Sequence, residues 1–363
     1  MKVESVEAYP ISIKAEERLR GGTFGYSHYQ TVLVRVTADG IEGWGEAMTR
    51  FDPEATAILV RYLAKQMTGR NFDSVTDAWN ESWRELRIRG HTRGIDVEAL
   101  SGIEIALFDS LGHALKRPLN ALFSRSSEAE VPVFAGSLFA SRGPLKEQVM
   151  EAKSQGLAGA KVKIGFGVKE DKQILSRVRR LWEEGMIVAD ANGAYDKRGA
   201  AKACDAFEDL GLAWFEEPVL SDDFEGYAAL KGSRVKIGAG ESWFVGDFQA
   251  PLEQRLVGVI EPSVSRCGGV AVQMDVAKRA ASKGIGFSPM TGMNSAVSLA
   301  ASLHAASARS SVGVEYNPFP NPLQTELATG LDRPSHGKVR VPTDYGLGIE
   351  VDVRFVKAHA RKV

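Results

Sequence analysis

Cysteine is nearly absent: Cys204 and Cys267 are the only two in 363 residues, and neither lies in a Cys-x-x-Cys or Cys/His spacing. That excludes a disulfide framework and a structural zinc site, and the two read as inert packing residues. An excess of one charge is also missing. The 45 Lys and Arg balance 46 Asp and Glu to a net of −1, leaving no basic stripe for a nucleic acid and no charged tail. No uncharged apolar run reaches the roughly 18 residues of a membrane helix, and the start MKVESVEAYP has no apolar signal core. The expectation is a cytoplasmic protein with neither nucleic acid nor membrane as a partner. What is present, 44% hydrophobic and 25% charged residues, is ordinary for a globular chain, and the length suits two domains or one barrel with an addition.

The first 50 residues alternate like strands, with VESVEAYPISI (3–13) and TVLVRVTADGIEGWGEA (31–47) flanking the Gly- and Tyr-rich segment RLRGGTFGYSHY (18–29), which reads as a loop. From Pro53 to about Phe123 apolar residues recur three and four apart, the helical period. Strands followed by helices describe an α+β domain over 1–125.

A repeat follows. Candidate strands begin near Val131, Ala158, Ile187, Leu212, Val235, Gly258, Gly284 and Val312, spaced 23 to 29 residues apart, and most gaps hold a helical stretch such as KEQVMEAKSQGL. Eight short apolar strands and seven helices make an α/β fold, a (β/α)7β barrel of the TIM type over 126–317. A doubly wound open sheet competes, but it would normally have fewer strands and a Gly-rich first turn. Residues 318–363, rich in Pro and Gly and strand-like at GKVRVP, are expected to return to the first domain.

Functional groups of such barrels lie at the carboxyl ends of the strands. Here those ends carry Lys161 and Lys163, Asp190 and Asn192, Glu216 and Glu217, Glu241, and Glu315. Asp190, Glu216 and Glu241 are 26 and 25 residues apart, one strand-helix unit each, so adjacent strands deliver three carboxylates to one rim. Their repulsion calls for a cation, and an all-oxygen donor set favours Mg²⁺, with Mn²⁺ as the alternative. The bland alternative is that each acid merely caps a helix. Lys161 and Lys163, two apart on a strand, point to the same face. Mutual repulsion and a nearby metal would depress a lysine pKa and free one amine to act as a base; the alternative is a pair that only neutralises carboxylates.

Together these residues resemble the enolase superfamily, and within it the mandelate racemase/muconate lactonizing enzyme subgroup. GWGEA (43–47) and IALFDSLGHALKRPLNALF (105–123) resemble its capping domain, KVKIG (161–165) its Lys-x-Lys motif, and DANGAY (190–195), FEEP (215–218) and GES (240–242) its metal motifs. CGGV (267–270) resembles the sixth-strand glycines. The resemblance implies a capping domain over a modified barrel, with Mg²⁺ holding a substrate carboxylate while a base removes the α-proton. It makes Asp190, Glu216 and Glu241 the metal ligands, Lys163 the base and Lys161 its tuning neighbour. Glu315 would bond the substrate carboxylate, and Asn192 and Glu217 would orient substrate or ligands. A homo-oligomer is implied too.

One departure matters. Where the subgroup carries a seventh-strand His and a sixth-strand Asp, this chain reads SPMTGMNSA and EPSVSRCGG, placing Met290 and Ser263 at those positions. Arg266 does not replace a sixth-strand lysine, because a guanidinium keeps its proton. His113, His304 and His359 sit in helical or tail contexts. His28 lies in the 18–29 segment, which in the subgroup covers the barrel mouth, so His28 and Tyr26 are candidate substrate contacts, with Arg18 and Arg20 beside them.

The expected activity is Mg²⁺-dependent abstraction of the proton α to the carboxylate of a small acid, through an enediolate. With one evident base, dehydration of a hydroxy or sugar acid is the favoured outcome. Racemisation, epimerisation or cycloisomerisation is the alternative, and a metal-binding protein without catalysis is the reading from another class.

Overall fold

The computed structural model describes residues 1–23, 25–50 and 52–362, with residues 17–19 as backbone alone. Three antiparallel strands open the chain: β1 (Val3–Arg20), β2 (Gly25–Ala38) and β3 (Ile41–Met48). The stretch 31–47 is two strands, not one. Asp39 and Gly40, with φ of 49° and 76°, form the turn that Asp-Gly favours in hairpins. The expected loop at 18–29 is also corrected: most of it is the far end of the β1-β2 hairpin, with Lys14 paired to His28, Leu19 to Tyr26 and Arg20 to Gly25. Cross-strand pairing satisfies backbone groups that a loop would leave to water.

Four helices follow, α1 (Pro53–Met67), α2 (Val75–Ile88), α3 (Ile95–Leu115) and α4 (Asn120–Phe123). Local chemistry starts the first two: the Asp52 side chain accepts from Glu54 N ahead of α1, and Ser74 accepts from Asp77 N ahead of α2. α3 is buried on nearly every side and lies against β3. The glycines of GWGEA permit that approach, since a Cβ on Gly43 would stand 2.2 Å from Ala106 O and one on Gly45 2.0 Å from Gly102 O.

The barrel strands are β4 (Glu130–Leu138), β5 (Gly159–Lys163), β6 (Met186–Asp190), β7 (Trp214–Glu216), β8 (Ile237–Ala239), β9 (Val259–Ile260), β10 (Gly286–Phe287) and β11 (Val314–Tyr316). Each begins within two residues of its expected start. Between them run α5 (Leu145–Ser154), α6 (Val168–Leu181), α7 (Lys197–Phe207), α8 (Phe224–Ala229), α9 (Gln249–Gln254), α10 (Val270–Ala281) and α11 (Ala296–Arg309). The strands pair in parallel in the order β10-β9-β8-β7-β6-β5-β4-β11. The two ends of that curled sheet meet where Val312 N donates to Phe287 O at 2.8 Å. Helices outside and side chains inside bury both faces, which is why these strands read as unbroken apolar runs.

The remainder forms α12 (Pro322–Thr325), β12 (Ala328–Thr329), β13 (Lys338–Arg340), β14 (Glu350–Val351) and α13 (Val353–His359). The strand seen in GKVRVP is β13, and its partner is β4 of the barrel, with Val339 opposite Val131. Other parts of the segment touch the N-terminal elements: Leu347 N donates to Asp109 Oδ1 at 2.7 Å and Arg361 N to Pro10 O at 2.8 Å.

Two buried carboxylates tie the N-terminal elements to the barrel. Glu46 of β3 accepts from Ser295 Oγ at 2.6 Å and from Ser298 N at 3.0 Å, where α11 begins. Glu104 of α3 accepts from Val270 N at 2.7 Å and Ala271 N at 2.8 Å at the start of α10. Both satisfy orphan donors at a helix N-terminus, where negative charge is favoured. Among the described residues no helix is long and apolar enough to cross a membrane.

Candidate active site

Strand register builds the site. Lys163 pairs with Asp190 across β5-β6, and Asp190 pairs with Glu216 across β6-β7, so the three stand in one row at the carboxyl ends of neighbouring strands. Glu241 follows β8, and Glu315 sits within β11. All of these side chains are buried, as are Lys161 and Glu217.

Lys161 is the hub. Its Nζ lies 3.0 Å from Glu216 Oε1 and 3.5 Å from Asp190 Oδ2, and it also pairs with Glu315. Lys163 pairs with Asp190 and donates to Asn192 Oδ1 at 3.0 Å. Asn192 in turn donates through Nδ2 to Glu241 Oε1 at 3.2 Å, linking the base candidate to the third acid. Glu315 is held by Gly292 N at 2.9 Å, and the absence of a side chain at Gly136 leaves room for it, since a Cβ there would meet Glu315 Cβ at 2.9 Å.

The chain's own charges, taken without an ion, act on the lysines in the opposite direction to the repulsion between them. Neither lysine is depressed: burial pushes both down, but Glu216, Glu315 and Asp190 carry Lys161 well above its ordinary value, and Asp190 leads the acids that raise Lys163. The carboxylates exceed the ammonium groups, so attraction wins over both burial and lysine-lysine repulsion. The acids register the same imbalance. Burial, with Asp190 and Glu261 beside it, drives Glu216 far up, and burial, Glu241 and Asp190 push Glu217 up to about 8. Glu241 differs: burial pushes it up, but Arg50, Lys161 and Lys163 together hold it at about 2.

Surplus negative charge is the condition a cation would relieve. Among the described residues, Glu216 Oε2 and Glu217 Oε1 are buried with no hydrogen-bond partner, acceptor lone pairs left unmatched. Asp190, Glu216 and Glu241 therefore fit a hard divalent ion in charge and donor type. Among the described residues, no three Asp, Glu, His or Cys side chains already stand in a metal-holding pose. The lysine ammonium groups stand among the acids instead, and side chains must turn for an ion to enter.

A cavity opens above this network, lined by Lys161, Lys163, Glu241 and Glu315 from the barrel and by Tyr26 and His28 from the hairpin. Asp190, Glu216, Glu217 and Asn192 lie outside its lining. His28 Nδ1 is 2.9 Å from Ser27 Oγ. Arg20 is exposed, its backbone bonded to Ser141 Oγ, while the Arg18 side chain lies outside the described residues. Met290 lines the cavity and Ser263 is buried behind it. His304 is buried among α4, α11 and the C-terminal segment, and neither it nor His113 nor His359 is part of the lining.

Two residues escaped the sequence reading. Arg50, just after β3, lines the cavity and places Nη2 3.4 Å from Glu241 Oε1. Its signal was faint: a single Arg following a strand of buried residues. Glu261 is buried beside Glu216, accepts from Trp214 Nε1 at 3.0 Å, and shares the segment EPSV with Ser263.

Residues 144–355 match the family described as enolase C-terminal domain-like. Residues 21–123 match the mandelate racemase/muconate lactonizing enzyme N-terminal domain. The chain belongs to the enolase superfamily. Its capping elements and (β/α)7β barrel are the superfamily fold. It is 27% identical to the D-galactarolactone cycloisomerase of Agrobacterium fabrum over 97% of both chains. It is 26% identical to the arabinonate dehydratase of Saccharolobus solfataricus, covering 87% of this chain and 86% of that one. The structure of a racemase from Streptomyces coelicolor with bound magnesium superposes with a TM-score of 0.88 at 25% identity, over 99% of this chain and 100% of that one. Within the superfamily the chain is an enzyme of the lyase or isomerase type.

Proposed function

We propose that the protein is a Mg²⁺-dependent sugar-acid dehydratase that removes the proton α to a carboxylate, with Lys163 as the base. The observation that carries this reading is the row Lys163, Asp190 and Glu216, set by strand register beside a cavity. Asp190, Glu216 and Glu241 would hold the ion, Mg²⁺ by the hardness of its donors and Mn²⁺ as a substitute. When bound, the ion supplies positive charge that stabilises the enediolate form of the substrate carboxylate, the general pattern of enolase-superfamily sites.

The chain's own groups do the rest. Glu315 and Lys161 meet the substrate carboxylate at the cavity floor, and Lys161 keeps its proton there as a fixed positive charge. Asn192 and Asp190 aim Lys163 Nζ from behind. Asp190 leads the acids that raise Lys163, so with those acids neutralised by the ion Lys163 would lose its own proton to water; the neutral amine then takes the α-proton and, as an ammonium, returns it to a leaving hydroxyl on the same face. Glu217, buried next to Glu216 in the chain, would help orient the substrate or the ligands, and Tyr26 and His28 touch the substrate from the hairpin, which covers the mouth and excludes water. The substrate is a small carboxylate, and we assign action in the cytoplasm as a homo-oligomer. The chain divides into capping elements (1–125), barrel (126–317) and returning segment (318–363).

The second reading is cycloisomerisation. The Agrobacterium relative, matched over 97% of both chains, is named for that reaction, and the first proton transfer would be common to both.

The test is a screen of acid sugars and hydroxy acids with and without Mg²⁺, read by product formation and by uptake of solvent deuterium. We expect Mg²⁺-dependent loss of water from at least one sugar acid. Folded protein that neither turns over nor exchanges any of them, or full activity after chelation, overturns the proposal.

A further inference from the structure

Arg50 differs from the other cations at the cavity. Lys161 and Lys163 are each engaged by buried carboxylates. Arg50 reaches in from the capping side, 26% exposed, with Nη1 donating to the Tyr26 hydroxyl at 2.6 Å and Nη2 3.4 Å from Glu241 Oε1. A guanidinium carries five N–H donors in a planar fork made for a carboxylate's two oxygens. Among the described residues, those two contacts engage two of the five, one with a neutral phenol and one at the long end for a hydrogen bond. Glu241 meanwhile accepts from Asn192 on the same oxygen, so its pairing with Arg50 is shared and one-toothed.

Partly burying a guanidinium without a full partner is costly, and Arg50 is half-buried at a cavity wall where a ligand could supply one. The same cavity has Lys161, Lys163 and Glu315 at its barrel end, with His28, Gln30 and Asn294 along its sides. It therefore suits a hydroxylated chain whose reacting end lies on the barrel and whose far end meets the capping elements. We propose that Arg50, aligned by Tyr26, binds a second acidic group of the substrate, so that the preferred substrates are sugar acids with a carboxylate at each end. This rests on the sugar-acid reading above and names the class of acid within it.

The test compares matched pairs, galactarate with galactonate and glucarate with gluconate, on full-length protein saturated with Mg²⁺. Calorimetry gives Kd for acids that are not turned over, and kcat/KM is taken for those that are. The diacid of at least one pair should be favoured by about tenfold or more, the scale of one charge-assisted bidentate contact. Arg50→Gln should bring that ratio to about one and Arg50→Lys should leave it intermediate, because an ammonium keeps the charge but not the fork. Mg²⁺ affinity, titrated without acid, separates this from a role in charge balance alone, in which Arg50→Gln tightens the ion and leaves the ratio unchanged. Wild-type preference for the monoacids overturns the subsite and leaves the proposed function standing. Failure of every acid to bind or react overturns both. Should Arg50→Gln not fold, the wild-type ratios still decide.

Discussion

Met290 and Ser263 are neighbours across a parallel bridge at the barrel mouth, with Met290 N donating to Pro262 O at 3.3 Å. By the resemblance in sequence, these are the positions where the subgroup's His and Asp would stand. The bridge sets the two positions side by side, and the chain carries a thioether and a hydroxyl there. A thioether neither takes nor gives a proton at neutral pH, and a serine hydroxyl does not fix an imidazolium. The proposed mechanism therefore predicts proton chemistry on the Lys163 side of the substrate alone. With a substrate or slow analogue in D₂O, deuterium should enter with a single configuration, followed by chiral analysis and proton NMR. Rapid interconversion of both α-epimers would mean that another group, with His28 the nearest imidazole on the cavity wall, serves the second face.

Lys163→Ala should separate chemistry from ion binding. The variant loses the proposed base but keeps all three acids, and one fewer cation among them favours Mg²⁺. We expect kcat to fall by roughly 10² to 10⁴, the span of general-base catalysis, with Mg²⁺ content by elemental analysis undiminished. Glu216→Gln should do the reverse, lowering the metal content first. A Lys163→Ala protein that folds and turns over at the wild-type rate would move the base elsewhere.

The hairpin tip rests on the barrel through glycine. A Cβ on Gly22 would lie 2.5 Å from Gly165 O, and Thr23 Oγ1 donates to Asn192 O at 3.3 Å beside it. Gly22→Val should lift the tip from its seat and admit water to the mouth, lowering kcat/KM by an order of magnitude or so while the melting temperature stays near wild type. Unchanged kinetics in that variant would make the hairpin a cover without a role in closure.

Much of this architecture is written in short-range pattern. The strand-helix period gives eight parallel strands, and the one-unit spacing of Asp190, Glu216 and Glu241 gives their common rim, because both depend on local sequence and on the topology it dictates. Pairing between remote segments is not written there. Arg50 meets Glu241 across 191 residues, and nothing near either one in the chain announces the other. The 18–29 stretch reads as a loop because its glycines suppress the alternation that marks a strand, yet its partner across the hairpin makes it one. The pull of the chain's own acids on the lysines is not legible for a related reason: charge state follows the sum over all surrounding acids, Glu315 and Glu241 among them, and not the two lysines alone.

His304 makes stability pH-dependent in a direction that can be derived. It is fully buried, its Nε2 donates to Leu347 O at 3.1 Å, and its Nδ1 accepts from Asn120 N at 3.3 Å, an arrangement only the neutral ring can make. Burial outweighs the Leu347 carbonyl and lowers its pKa from 6.5 to about 4. On acidification the unfolded chain takes up the proton first, so this contribution is intact above about pH 6.5 and is lost as the pH falls toward 4. At about 1.4 kcal/mol per pKa unit the loss amounts to about 3 kcal/mol. Asp109, which burial raises to about 6, works oppositely: its unfolded form sheds the proton first, so its contribution falls as pH rises toward 6 and acidification relieves it. A comparison with His304→Gln isolates the histidine, since the amide can still donate to Leu347 O but does not titrate. Urea unfolding at pH 7.5 and pH 5.0 should show the wild type losing more stability between the two than the variant does, by one to two kcal/mol or so. Equal losses in the two proteins would mean that His304 is not held neutral in the fold.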